Sequence, residues 1–213
     1  MTPDLFDSDL TRQPICDGAV LLRGFVTPHT TEIFDAIATI ENVAPFRHMI
    51  TPGGFRMSVA MTNCGTYGWS SDRRGYRYAS TDPLSEKNWP AMPALFLELA
   101  QSAAEQAGFV DFKPDSCLIN RYEIGSRLSL HQDKNERDFS APIVSVSLGI
   151  SALFLFGREQ RNIRPLRLPL SHGDVVVWGG PARLYYHGIA PLKIDTHPLT
   201  GTHRINLTFR KVD

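Results

Sequence analysis

The sequence predicts an α+β fold in which two helices buttress a double-stranded β-helix, or jelly roll. Two observations support this prediction. In the first half of the chain, apolar residues recur at helical spacing in segments 30–41 and 93–107. After residue 115 the chain divides into short apolar or alternating runs separated by Gly and Pro, a pattern typical of β-sandwiches and barrels.

The N-terminal half supplies one strand and both helices. Residues 19–25 are an apolar run that predicts a strand. The first helix starts at Thr30, and its apolar face is formed by Ile33, Phe34, Ile37 and Ile40. The second begins with a proline and is followed by Gly108, the residue types favoured at the two ends of a helix.

Strands follow in the C-terminal half. They are predicted at residues 117–122, 128–131, 143–148, 152–156, 166–170, 175–178 and 204–210. The long glycine-bearing segment 64–88 has no clear period and predicts a loop. Because loops of this length in a compact domain are usually functional, we expect it to form a mobile lid.

Composition indicates an ordinary globular protein. The 213 residues suit a single domain over 1–213, with 1–17 as a flexible tail. Lys plus Arg equals Asp plus Glu, 22 each, so no net charge attracts the chain to nucleic acid or a membrane. Three scattered cysteines argue against a zinc knuckle or disulfide framework. With an acidic N-terminus and no spanning apolar run, we expect a cytoplasmic monomer without a membrane partner.

Three polar residues have the pattern of a metal site. His131 and Asp133 lie two apart in the alternating run 127–133, and side chains two apart on a strand share a face. His187 follows far downstream. Two histidines and one carboxylate occupy one face of an octahedron and leave the other open, as in non-heme Fe(II) oxygenases. The sequence therefore predicts an iron site at these three residues.

A second pair, His172 and Asp174, has the same spacing. It lies in a glycine turn just before the continuous apolar run 175–178, which predicts a buried strand. There the two side chains are expected to satisfy backbone groups of the turn. The upstream pair is therefore the predicted ligand pair.

The run 204–210 is polar on one face only. Strand period groups Arg204, Asn206, Thr208 and Arg210 on this face. Two interpretations are open: an edge strand with its arginines in water, or an inner strand whose arginines converge on a small dianion such as a dicarboxylate. Its position after the last candidate ligand favours the second. Asn120 and Tyr122 also share a face and can add an amide and a phenol to that pocket.

Several longer motifs occur together with these residues. They are segments 53–65, 120–122, 128–134, 144–149, 172–180 and 204–210. In this order they resemble the bacterial AlkB-type Fe(II)/2-oxoglutarate-dependent nucleic-acid dealkylases. The resemblance covers nearly everything from about residue 18 onward, and several long motifs in one order are far more specific than any one of them.

The resemblance implies an activity and a set of roles. His131, Asp133 and His187 would bind Fe(II), while the 2-oxoglutarate residues would be Asn120, Tyr122, Arg204, Asn206 and Arg210. Dioxygen and 2-oxoglutarate would be cosubstrates, with release of succinate, carbon dioxide and an aldehyde. The implied reaction is the oxidative dealkylation of bases of the N1-methyladenine and N3-methylcytosine type, in DNA or RNA that is single-stranded or has the base flipped out.

Substrate contacts are expected between residues 45 and 90, which would form a nucleotide-recognition lid. Segment 67–78 interleaves aromatic rings with Arg73, Arg74 and Arg77, a mixture suited to stacking on bases and neutralising phosphates. An ordinary polar loop with packed aromatics is the alternative. By resemblance, Trp69 stacks on the base, with His131 on its other side. Tyr76, Thr51, Arg161 and Asn135 would make further substrate contacts.

One position departs from the family. Bacterial relatives carry an acidic residue where this chain has Asn135. A carboxylate there would attract the positive charge of a methylated base, whereas an amide offers only hydrogen bonds. The sequence leaves two interpretations open: weaker handling of cationic lesions, or replacement of the missing charge by Glu136.

Two other functions stay open at this point. The fold could be a non-catalytic reader of damaged or single-stranded nucleic acid, although such a reader has no use for metal ligands and a dianion pocket. It could also be an Fe(II)/2-oxoglutarate oxygenase acting on a small molecule. The aromatic and basic composition of segment 67–78 favours nucleic acid.

Overall fold

A computed structural model describes residues 11–213 of the chain. Within them lie helices α1 (Thr30–Val43) and α2 (Ala94–Gln106) and short 3-10 turns at Thr27–His29 and Gly180–Ala182. The strands are β1 (Arg12–Cys16), β2 (Ala19–Leu22), β3 (Arg47–Ile50), β4 (Arg56–Gly65), β5 (Gly68–Asp72), β6 (Gly75–Ala79), β7 (Ser116–Tyr122), β8 (Leu128–His131), β9 (Ile143–Gly149), β10 (Ala152–Phe156), β11 (Leu166–Leu170), β12 (Val175–Trp178), β13 (His187–Ile189) and β14 (Arg204–Arg210).

The strands form two facing sheets and a hairpin. The larger sheet has the order β1-β2-β12-β9-β14-β7-β4-β3, and the smaller has the order β11-β10-β13-β8. Tyr122 and Trp178 of the larger sheet belong to one apolar cluster with Phe154, Phe156 and Ile189 of the smaller, so this part of the core fills the space between the sheets. The predicted jelly roll is confirmed. Strands β5 and β6 pair with each other as a hairpin.

Both helices cover the outer face of the larger sheet. The apolar face of α1 and that of α2 join one cluster with Leu207 and Phe209 of β14. Phe96 of α2 meets Phe209 edge-on at a ring distance of 6.0 Å. The predicted buttressing is therefore confirmed. Neither helix in the described part of the chain is long and apolar enough to cross a membrane.

Two predicted segments need correction. Of the expected tail 1–17, residues 1–10 lie outside the described residues, but Arg12–Cys16 is strand β1, whose backbone pairs with β2. The expected loop 64–88 contains the hairpin β5–β6. The hairpin was missed because serine, glycine and arginine interrupt its short strands and hide the strand period.

The predicted lid, 45–90, is also narrower than expected. Strands β3 and β4 belong to the larger sheet, where β4 pairs with β7. The sequence hid β4 because its buried run includes two polar residues. Thr62 donates its hydroxyl to the Ala44 carbonyl, and the Asn63 amide bonds to the Trp69 backbone, so both are satisfied inside the protein. This leaves the hairpin and the connection after it as the segment outside the two sheets.

Candidate metal centre and dianion pocket

The three predicted metal ligands meet at one edge of the smaller sheet. His131 ends β8 and His187 begins β13, and the two residues are direct cross-strand partners. The Asp133 carboxylate oxygens lie 3.6 Å from His131 Nε2 and 3.7 Å from His187 Nε2. All three ligand atoms lie within 4.8 Å of one another. Because atoms bound to one metal at about 2 Å lie up to about 4 Å apart, a small adjustment suffices to bind a cation.

The local structure differs from the predicted alternation. Strand β8 ends at His131, so Asp133 approaches the site from the segment that follows and not from the same strand.

The interpretation of the second pair, His172 and Asp174, as residues that satisfy backbone groups is confirmed. His172 Nδ1 accepts the Gly149 N–H at 3.1 Å, and the Asp174 carboxylate accepts the backbone N–H groups of Gly24 and Ser171.

Both imidazoles are oriented by backbone carbonyls. His131 Nδ1 lies 2.9 Å from the Ser129 carbonyl, and His187 Nδ1 lies 3.0 Å from that of Tyr185. Because a ring N–H donates to each carbonyl, the Nε2 lone pairs are left for the site. Burial and the neighbouring His131 lower the pKa of His187 to about 3, so this ring is in its neutral, metal-binding form at physiological pH.

Asp133 is held as a carboxylate. Burial acts to raise its pKa, but the Arg210 guanidinium and the two histidines outweigh burial and hold the pKa well below the usual range. Arg210 donates from Nε and Nη2 to Asp133 Oδ2 at 2.8 and 2.6 Å. The site therefore presents the neutral imidazole of His187, the oriented ring of His131 and one ionised oxygen ligand.

Strand β14 is an inner strand, and the edge-strand alternative is wrong. It lies between β9 and β7 in the larger sheet, and all seven of its residues are buried. Its apolar residues pack against the helices, so the alternating polar residues face the space between the sheets. Arg204 is only 1% exposed, with Nη2 donating to Ser147 Oγ at 3.0 Å.

The two arginines retain unused donors. Arg204 Nε, Arg204 Nη1 and Arg210 Nη1 are buried without a hydrogen-bond partner. Leaving charged N–H groups unpaired inside a protein is unfavourable, so this pocket is built for an anionic acceptor. Arg204 also lies 5.0 Å from the centre of the Tyr122 ring, its cross-strand partner.

Asn120 and Asn206 are cross-strand partners in the same pocket. Asn120 Oδ1 is buried without a partner and is available to a ligand. The Asn206 amide instead donates to Ser145 Oγ and the Val146 carbonyl, both at 2.8 Å, and accepts from Thr208 and Asn120. Its groups are thus already satisfied, and its geometry suits orienting Asn120.

The predicted substrate residues lie mainly on or near the hairpin. Trp69 of β5 stacks on Tyr76 of β6, with ring centres 5.5 Å apart and planes 16° apart. Thr51 follows β3, where its hydroxyl accepts the Phe55 N–H at 3.2 Å. Arg161 lies apart, on the exposed connection between β10 and β11, and makes no hydrogen bond or ion pair with the hairpin among the described residues.

Asn63 is a site residue that the sequence analysis missed. Its side chain is fully buried, and its amide accepts the Trp69 N–H at 2.9 Å and donates to the Trp69 carbonyl at 3.0 Å. Asn63 thus fixes the backbone that carries the indole. An amide within the apolar run of β4 was the only sequence signal for it.

Two charged residues differ from expectation. Arg77 is bound by Asp72 through both carboxylate oxygens, at 2.9 and 2.7 Å, so its charge is already balanced within the hairpin. Glu136 is buried and bonded to Tyr78 and Arg183, so the idea that it replaces an acidic residue at 135 is wrong. Asn135 itself is exposed and lines an open cavity of about 280 Å³ together with Tyr76.

Comparison with known proteins agrees with this geometry. Residues 18–210 match the 2OG-Fe(II) oxygenase superfamily. The chain is 56% identical over 209 residues to the alpha-ketoglutarate-dependent dioxygenase AlkB of Escherichia coli, covering 98% of this chain and 97% of that protein. The chain is an AlkB-type member of the 2OG-Fe(II) oxygenase superfamily. It is thus a dioxygenase that uses Fe(II), 2-oxoglutarate and O2.

Two further relatives extend the comparison. The structure of OsALKBH1 superposes with a TM-score of 0.83 at 28% identity, covering 94% of this chain and 99% of the other. The DNA N(6)-methyladenine demethylase ALKBH1C of Arabidopsis thaliana is 34% identical over 161 residues, which span 63% of this chain and 35% of that protein.

The residues present fit the groups that this family uses. Two imidazole nitrogens and a carboxylate are a suitable donor set for Fe(II). The unpartnered guanidinium donors of Arg204 and Arg210 suit the two carboxylates of 2-oxoglutarate. Tyr122 and Asn120 lie on the neighbouring strand, where they border the same pocket.

Proposed function

We propose that this chain oxidatively removes alkyl groups from base nitrogens of nucleic acid, with lesions of the N1-methyladenine and N3-methylcytosine type in DNA as its substrates. The observation that carries the proposal is the aromatic hairpin anchored at the metal site. Trp69, on the first strand of the hairpin, is partly buried against the apolar cluster between the sheets. Tyr78, on the other strand, bonds to Glu136, three residues from Asp133. A surface suited to stacking bases therefore adjoins the ligand triad.

His131, Asp133 and His187 would hold Fe(II), and Arg204 and Arg210 would hold 2-oxoglutarate. When bound, the metal supplies activation of O2, coupled to oxidative decarboxylation of the keto acid to succinate and CO2. One oxygen atom is inserted into a C–H bond of the N-alkyl group. The C–N bond of this product then breaks: the electron pair stays on the ring nitrogen, the hydroxyl loses its proton, and an aldehyde is released.

The substrate strand is proposed to be unpaired or to present a flipped-out base. His187 is 5% exposed, so a base inside a duplex cannot reach it. Arg73 and Arg74, exposed at the hairpin turn, would neutralise phosphates, and Thr51, Tyr76 and Arg161 would add backbone contacts. We also propose that the chain acts as a cytoplasmic monomer. Its free cysteines, Cys16, Cys64 and Cys117, suit a reducing compartment.

The proposal is tested by adding Fe(II), 2-oxoglutarate and O2 with a methylated single-stranded DNA oligonucleotide. Succinate, formaldehyde and repaired base are expected in equal amounts. Binding without turnover would instead indicate a reader, and turnover that ignores the oligonucleotide but responds to a small molecule would indicate another oxygenase. A matched RNA oligonucleotide and a matched duplex measure the preferred form of the substrate.

Replacing Trp69 with alanine is expected to reduce kcat/KM for the oligonucleotide by about 5- to 150-fold, the range of a base-stacking contact worth about 1–3 kcal/mol. The affinity for 2-oxoglutarate measured without nucleic acid should not change, because the described hydrogen bonds of Trp69 go to Asn63 and none goes to Arg204 or Arg210. Equal losses in both quantities would contradict a stacking role.

Replacing Asn135 with aspartate is expected to raise kcat/KM several-fold on cationic methylated bases. A carboxylate about 4–6 Å from the positive charge of a methylated base stabilises that charge, whereas Asn135 offers only a neutral amide. Neutral alkylated bases should not gain. The control is Asn88→Asp, which adds the same charge at an exposed position after the hairpin. No gain, or an equal gain with the control, would contradict the prediction.

A further inference from the structure

A single buried carboxylate joins three parts of the molecule. Glu136 has a side-chain exposure of 1%. Tyr78 of the hairpin donates its hydroxyl to Glu136 Oε1 at 2.6 Å, and Arg183, just after the 3-10 turn Gly180–Ala182, donates from Nη2 to Oε2 at 3.2 Å. Arg210 Nε, from β14, lies 3.5 Å from Oε1. No residue of the metal triad provides these contacts, so Glu136 has a role outside the ligand set.

Arg183 fixes the segment that carries Asp133. Its side chain is 3% exposed, and each of its nitrogens has an acceptor. Nε donates to the Ala141 carbonyl at 3.0 Å and Nη1 to the Asp133 carbonyl at 2.8 Å, while Nη2 holds Glu136. The guanidinium therefore clamps both ends of the short segment 133–136. Removing one partner of a buried ion pair strongly destabilises a protein, so the pair of Glu136 and Arg183 is expected to stay formed.

Arg210 is shared between two carboxylates. Nε and Nη2 bond to Asp133, and the Nε edge also faces Glu136, while Nη1 is buried and unpartnered. The two carboxylates thus decide where Nη1 points. Asp133 and Glu136 balance Arg183 and Arg210 in charge, so this cluster is neutral before a divalent metal and a dianion are added.

We propose that Glu136 is a positioning residue through which the hairpin hydroxyl of Tyr78 sets the orientation of Arg210 and thereby strengthens binding of 2-oxoglutarate. Tyr78 acts at a distance through this carboxylate, without a contact of its own to the dicarboxylate. The hairpin also carries Trp69 and Tyr76. The nucleic-acid surface and the cosubstrate pocket are therefore both connected to Glu136. By linkage, each ligand then favours the other, a consequence that rests on the proposed function.

The test is 2-oxoglutarate binding by calorimetry under anaerobic conditions with Fe(II), without nucleic acid, so its outcome does not depend on the substrate. Tyr78→Phe removes one oxygen and is expected to weaken binding about five-fold or more, the lower end of measured couplings between sites. Tyr67→Phe is the matched control: its hydroxyl bonds Asp213 at the base of the hairpin, and binding should stay unchanged.

A double-mutant cycle separates positioning from general loosening. If Tyr78 acts through Glu136, adding Tyr78→Phe to Glu136→Gln should produce no further loss. In addition, 2-oxoglutarate should slow hydrogen exchange of residues 68–79 in the wild type but not in Tyr78→Phe. Unchanged affinity in Tyr78→Phe, or a full additional loss in the Glu136→Gln background, would overturn the proposal. If Glu136→Gln does not fold, the single Tyr78→Phe titration and the exchange measurement decide alone.

Discussion

Replacing His187 with alanine is expected to lower Fe(II) affinity by more than about 100-fold and to abolish succinate formation. Groups that merely hydrogen-bond a metal ligand already contribute about 10- to 100-fold in affinity, and a ligand contributes more. His187 is one of two imidazoles in the triad, and its Nε2 lies 3.7 Å from Asp133. Metal content after dialysis and anaerobic titration with Fe(II) measure the effect.

The matched control for this change is His29→Ala. His29 lies on the 3-10 turn before α1 and is not part of the described metal cluster. Metal binding and turnover should equal those of the wild type. The His187 variant should stay folded, because Asp133 keeps its two bonds from Arg210. A folded His187→Ala protein with wild-type iron affinity would contradict the assignment of this ligand.

Replacing Arg204 with lysine is expected to raise the KM for 2-oxoglutarate by about 10- to 150-fold, with Fe(II) affinity little changed. The variant keeps the positive charge but loses the planar fork that can pair with a carboxylate. Two of the three guanidinium nitrogens are buried and unpartnered. A hydrogen bond to a charged group contributes about 1.5–3 kcal/mol, which corresponds to the stated range.

Arg121→Lys is the control on the neighbouring strand. Arg121 lies on β7 but is half-buried and paired with Glu41 at 2.9 Å, on the other side of the sheet from Tyr122. Exposed pairs of this kind contribute little, so the KM should not change. An increase of the same size in both variants would indicate that strand packing, and not cosubstrate binding, is affected.

The alternation in residues 204–210 was sufficient to predict the polar face of β14, because strand period is a property of consecutive residues. Whether that face met water or the interior depended on neighbours far along the chain, β9 and β7, and could not be read locally. The position after the last candidate ligand favoured the interior, and the place of β14 in the sheet decides the choice. For the same reason, the residue types predicted that His131 and His187 bind one metal, but the sequence could not predict that they are direct cross-strand partners.

The contacts of Glu136 were beyond the reach of sequence reasoning. They join Glu136 to Tyr78, which is 58 positions away in the sequence, and to Arg183, which is 47 positions away. No local period relates these residues. The sequence analysis therefore considered Glu136 as a replacement for a substrate-facing acid. In the structure Glu136 is instead buried, in contact with Tyr78, Arg183 and Arg210. Asn63 was missed for a similar reason, since its partner, the Trp69 backbone, becomes a neighbour only through the turn between β4 and β5.

The central claim is that His131, Asp133 and His187 together hold the iron. The most direct measurement is the anomalous density at the iron edge in crystals grown anaerobically with Fe(II) and 2-oxoglutarate. We expect one metal peak about 2 Å from Nε2 of both histidines and from an Asp133 oxygen, with the keto acid bonded to Arg204 and Arg210. A peak at another position, such as His172 and Asp174, or an iron bound without Asp133, would contradict it.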